Sequence, residues 1–193
     1  MCAKFDPRLK DRLVSEERYE LLRPDRLLRD LGLMPGDTLA DIGCGPGFFA
    51  IPAAAIVGKE GRVLAADIQG DMLAALRSRV QEHELTNVRM VKTSETEIPL
   101  QEGCADMALV AFTLHEVEQR ARFLHRVRRL LKPEGRIVVI EWEKHDDEMG
   151  PPTSARLAPE DVLKDAEAAG LRLAERRELN EHHYLLVLVP IAR

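Results

Sequence analysis

Two carboxylates bracket a run of glycines in the first third of this chain: Asp41, then Gly43-Cys44-Gly45-Pro46-Gly47, then Asp67. Glycines so closely spaced let the backbone approach a ligand and take dihedrals closed to other residues. Asp67 stands twenty residues past Gly47, where a strand-end carboxylate can accept both hydroxyls of a ribose. A pyrophosphate-binding loop starting at Gly43 needs its third glycine at position 48, which is Phe48. Pyrophosphate is also anionic, and Asp41 precedes the loop by two residues. An acid at that point suits a ligand with an ammonium and a sulfonium. Two further residues are candidates: His115 as a general base, and Glu141 to orient an acceptor or satisfy loop amides. His115 has an ordinary pKa near neutrality, and Glu141 closes an apolar run.

These residues need elements to hold them, and the chain alternates β-rich runs with helical patterns. Thr38–Ile42 reads as a strand entering the glycines, with a helix over Phe48–Val57. Arg62–Asp67 is a second strand and Asp71–Glu84 a helix, with Leu73, Leu76 and Val80 on one face. Asn87–Val91 and Ala105–Val110 are further strands. A helix over Glu118–Leu131 is ended by Lys132-Pro133-Glu134-Gly135, and Arg136–Trp142 is the fifth strand. Continuous apolar runs in strands one, four and five fit a parallel sheet buried on both faces. After a polar loop at 143–158 come a helix over Pro159–Ala169 and two runs, Arg172–Glu178 and His183–Val189, expected to form an antiparallel hairpin. His182, His183 and Tyr184 read mainly as hairpin surface, and Tyr19 as a residue that could cover the ligand from an N-terminal helix. The fold class is α/β: a Rossmann-like seven-stranded, mostly parallel sheet with helices on both faces and a C-terminal antiparallel hairpin. One domain is expected over 1–193, with 1–35 a helical lead-in or lid and 36–193 the ligand-binding core.

Composition narrows the partners. Hydrophobic residues are 45% of the 193, charged residues 32%, aromatics 4%, and the net charge is −5. Few aromatics and negative charge argue against single-stranded nucleic acid and anionic membranes. The cluster Arg120, Arg122, Arg126, Arg128, Arg129, Lys132 and Arg136 reads as a solvated helix face. Cys2, Cys44 and Cys104 form no CxxC pair, which suits a reducing cytoplasm. No signal-like apolar core or membrane-length run is present. His115, Glu116, His145, Asp146 and Asp147 have no known zinc spacing, so no metal is expected.

Ala40-Asp41-Ile42-Gly43-Cys44-Gly45-Pro46-Gly47 resembles motif I of the class I S-adenosylmethionine-dependent methyltransferases. Thr96-Glu97-Ile98-Pro99-Leu100 is similar to that family's segment before strand four, and Arg129 to Arg136 to its R-x-L-K-P-G-G signature. Glu141-Trp142-Glu143-Lys144 is most similar to the small quinone-biosynthesis (UbiE/COQ5-type) branch. That branch's Tyr- and Asn-containing N-terminal signature is missing from residues 1–35, and Ser94 stands where the family's adenine-side Asp is usual. The resemblance implies S-adenosylmethionine as cofactor, with Gly43, Gly45 and Gly47 beneath its methionine part and Asp41 near its amino group. It places the ribose on Asp67 and the adenine by Ile68, Ser94 and Glu95, with Cys44 and Met72 as further cofactor-binding residues. Phe112 and Thr113, after strand four, fall near the methyl group, with His115 and Glu141 as catalytic candidates. The implied activity is methyl transfer to a small-molecule acceptor. A non-catalytic cofactor-binding subunit is the rival class, and a homodimer is left open.

Overall fold

A computed structural model describes residues 5–146 and 149–191; Cys2 and Asp147 fall outside them. Strands β1 (Thr38–Ile42), β2 (Arg62–Asp67), β3 (Val88–Lys92), β4 (Ala105–Ala111), β5 (Leu131–Trp142), β6 (Leu171–Asn180) and β7 (His183–Pro190) form one sheet in the order β3-β2-β1-β4-β5-β7-β6. The first five strands run parallel, and β7 inserts antiparallel between β5 and β6.

Six α-helices accompany the sheet among the described residues: α1 (Glu16–Leu22), α2 (Pro24–Asp30), α3 (Ala50–Val57), α4 (Gly70–Glu82), α5 (Arg120–Arg129) and α6 (Pro159–Ala168). Side chains alternate across each strand, and the core splits accordingly. Leu39, Met107, Leu109, Val138 and Ile140 face α2, α3 and α4, with Leu28, Ala53 and Leu76 against them. Ala40, Ala108, Val110, Ile137 and Val139 face α5 and α6, with Leu124, Val127 and Val162 against them. Chain order reverses between β1 and β4, and the glycine loop emerges at that switch point. No helix among the described residues is long and apolar enough to cross a membrane.

Three features differ from the sequence reading. The helix after the loop begins at Ala50, because Gly47 takes φ +91° and the turn runs on through Phe49. Strand β5 begins at Leu131 instead of Arg136. Leu131 already pairs with Ala105, and the ladder resumes at Met107–Arg136 after an irregularity. Gly135 is needed there, since a Cβ would lie 2.9 Å from the Ala105 carbonyl. The third difference concerns the last strand. His183 and Tyr184 are buried, not surface residues of a hairpin, because β7 is an internal strand. Tyr184 donates its hydroxyl to the Leu157 carbonyl at 2.9 Å.

Candidate active site

The glycine loop is held from beneath by Asp67. Its carboxylate accepts the Gly45 amide at 2.8 Å and the Gln69 amide at 2.7 Å, joining the loops that follow β1 and β2. Each oxygen keeps a further lone pair for a ligand hydroxyl. Burial raises the Asp67 pKa, partly opposed by those two amides. Gly43 takes φ +79° and lies so close to Thr113 that an added Cβ would sit 2.2 Å from its Oγ1. This contact locks the end of β1 to the segment after β4. Cys44 is buried in the loop, where burial and the nearby charges of Asp41 and Asp67 raise its thiol pKa well above normal, so it is no thiolate at neutral pH.

Asp41, in β1 two residues before the loop, is the site's unbalanced charge. It is 2% exposed, and its Oδ2 has no hydrogen-bond partner among the described residues. Burial first, then the charge of Asp67, raises its pKa to about 7. A buried carboxyl lacking a donor is matched by a ligand cation. Ile68 follows Asp67 half-buried, its carbonyl taken by Lys92. Met72 is buried one turn into α4, whereas Ser94 and Glu95 lie exposed in the loop after β3.

At the end of β4 the chain enters Phe112, whose φ of +55° turns it out of the strand. The short 3-10 turn Leu114–Glu116 then carries His115 over the end of β5. Glu141, fully buried, accepts the His115 backbone amide at 3.1 Å and lies 2.9 Å from its Nδ1. Sequence reasoning singled out both residues but not their pairing. Parallel register supplies it, since Ala111 pairs with Ile140 and the two chains leave the sheet side by side. With Nδ1 occupied, Nε2 is left without a protein partner among the described residues. Burial alone would lower the His115 pKa, but the hydrogen bond and charge of Glu141 outweigh it, so the net shift is upward.

Two contributors, Phe5 and Arg18, were not legible in the sequence. The Phe5 amide donates to Glu116 at 3.1 Å, and the Phe5 carbonyl accepts from Gln69 Nε2 at 3.0 Å, strapping the N-terminal segment across this edge. Arg18 places its guanidinium over the rings of Phe48 and Phe112. Tyr19 is 41% exposed, with its hydroxyl given to Asp25 at 2.9 Å and its ring edge-on to Phe48. On the far side, Phe112, Trp142 and His183 form an aromatic cluster with centroids 4.4–5.5 Å apart. The loop after β5 folds over Trp142, against which Gly150 lies too close to admit a Cβ. Buried Arg156 fastens that loop by donating to the carbonyls of Pro151, Glu143, His145 and Met149.

An orphaned acid, a glycine cradle and a second carboxylate at the end of β2 fit S-adenosylmethionine, whose amino-acid end is cationic at nitrogen and sulfur. Comparison with known proteins agrees. The chain is 32% identical to a SAM dependent methyltransferase from Aquifex aeolicus, with TM-score 0.91 over 96% of this chain and 98% of that one. It is 31% identical over 150 residues to the ubiquinone/menaquinone biosynthesis C-methyltransferase UbiE of a Marinomonas species, covering 77% of this chain and 59% of the relative. It is 29% identical over 129 residues to the demethylmenaquinone methyltransferase of Oceanobacillus iheyensis, covering 67% and 54%. The chain thus spans a little over half the length of these two curated relatives. Residues 9–150, from the N-terminal segment through the loop that covers Trp142, match the ubiE/COQ5 methyltransferase family, and to that family this chain belongs.

Proposed function

We propose that this protein transfers a methyl group from S-adenosylmethionine to a small-molecule acceptor that gives up a proton, with His115 as the base. The observation that carries the reading is the His115–Glu141 pair, 2.9 Å apart beside the glycine loop. Bound S-adenosylmethionine supplies a methyl carbon already activated by its sulfonium. What remains for the protein is alignment, exclusion of water and removal of the acceptor's proton. Gly43, Gly45 and Gly47 cradle the methionine part, and Asp67 holds the ribose. Asp41 balances the amino group. Phe112 and Trp142 give the acceptor an apolar wall, under the loop that Arg156 fastens. Glu141 accepts from Nδ1–H of neutral His115, so the lone pair sits on Nε2, where the acceptor's proton goes as the new bond to carbon forms.

The relatives' names point to quinone precursors, and the aromatic wall suits a planar acceptor of that kind. The test combines calorimetry with turnover. S-adenosylhomocysteine should bind the wild type, and H115A should bind it equally while losing about 100-fold or more in kcat. Because Glu141 raises the His115 pKa, kcat/KM should climb with pH through a midpoint above 6.5, and E141Q should move that midpoint down. Retained turnover in H115A would remove His115 as base. Failure of the wild type to bind either form of the cofactor would remove the whole reading.

A further inference from the structure

Arg18 has no assigned part in the site. It lies in α1, far in sequence from every motif residue, yet its guanidinium carbon is 4.6 Å from the Phe48 ring centroid and 4.9 Å from that of Phe112. Its Nη1 donates to the Leu13 carbonyl at 2.8 Å. No carboxylate pairs with it among the described residues, and burial pulls its pKa down to about 10. A cation sunk between two rings without a counter-ion is costly unless an anion completes it.

The surroundings say which anion. Phe48 directly follows Gly47, and Phe112 directly precedes Thr113, the residue packed on Gly43. Leu13, whose carbonyl Arg18 holds, has a methyl carbon 3.7 Å from where a Cβ on Gly45 would be. Phe48 and Leu13 thus bring the guanidinium to the glycine loop directly, and Phe112 does so through its neighbour Thr113. Strand β1, which runs into that loop, carries the orphaned acid Asp41. One unpaired acid and one unpaired base on a single cradle match the ammonium and the carboxylate of an α-amino acid.

We propose that Arg18 clamps the α-carboxylate at the methionine end of S-adenosylmethionine, making the N-terminal helix part of the cofactor site. The inference rests on the methyl-donor reading above. The planar fork of Arg binds a carboxylate through two parallel N–H donors, which Lys does not reproduce.

Two probes differing only in that carboxylate separate the possibilities: S-adenosylmethionine and decarboxylated S-adenosylmethionine, titrated calorimetrically into wild type, R18M and R18K. R18M should lose about 10- to 100-fold in affinity for S-adenosylmethionine and none for the decarboxylated compound. R18K should fall between, and it gives the same comparison should R18M fail to fold. Equal losses for both compounds would make Arg18 a structural residue and overturn the clamp. No loss for either would overturn it too, and would turn the guanidinium toward the acceptor. A wild type that binds neither compound would sink the cofactor reading itself, an outcome distinct from both.

Discussion

Among the individual residues, Asp41 has the most unusual chemistry. Ionised, it is a buried charge without a donor; protonated, it is tolerable, and the pKa of about 7 expresses that balance. Since folding raises this pKa, Asp41 favours the folded state at low pH, and that contribution declines as pH rises from about 4 to 7. A ligand ammonium reverses the preference, because it requires the carboxylate. Binding of S-adenosylmethionine should therefore release a proton below pH 7, with affinity rising by up to about tenfold per pH unit between pH 5.5 and 7. Titrations in two buffers of different ionisation enthalpy would count that proton. D41N should abolish the slope, and a slope that survives would mean that another group supplies it. The two acids and the glycines were readable in the sequence because their spacing is local. Arg18 was not, since one arginine in a highly charged lead-in carries no periodic or motif signal.

The site is made where elements end. Strands β1 and β4 are neighbours, so the glycine loop meets the Phe112–Glu116 segment; β4 and β5 are neighbours, so His115 meets Glu141. The strand-helix alternation predicted the parallel strands whose ends share this edge, but strand register decides which side chains touch, and register comes from cross-sheet packing. The signature Leu131-Lys132-Pro133-Glu134-Gly135 shows the same limit. Its proline and glycine read as a helix stop, whereas pairing with Ala105 draws it into β5. At this scale the tightest joint is Gly43 against Thr113. G43A would need a left-handed φ of +79° and would drive a methyl group into the Thr113 side chain. We expect a loss of about 1–3 kcal/mol in stability, measured by urea unfolding, and weakened S-adenosylhomocysteine binding. Unchanged stability would show that the β1–β4 joint yields easily.

Taken whole, the molecule is a three-layer α/β sheet whose candidate ligand edge borrows cover from sequence-distant parts of the chain. The Phe5 strap and Arg18 come from the N-terminal segment, the His183 ring from β7. A ligand bound among parts so distant in sequence stabilises the entire fold. Saturation with S-adenosylhomocysteine at about a hundred times its Kd should add about 2.7 kcal/mol and raise Tm by roughly 5–10 °C; an unmoved Tm would contradict binding at this edge. The position of β7 has another consequence. Its partner Ile137–Trp142 is synthesised well before it, and β6 comes in between. While the ribosome is still making residues 143–182, β5 has a bare, β-branched flank able to pair with any other strand. Nascent chains of this protein should therefore be most prone to aggregate in that interval, and chains halted before His183 should need a chaperone to stay in solution.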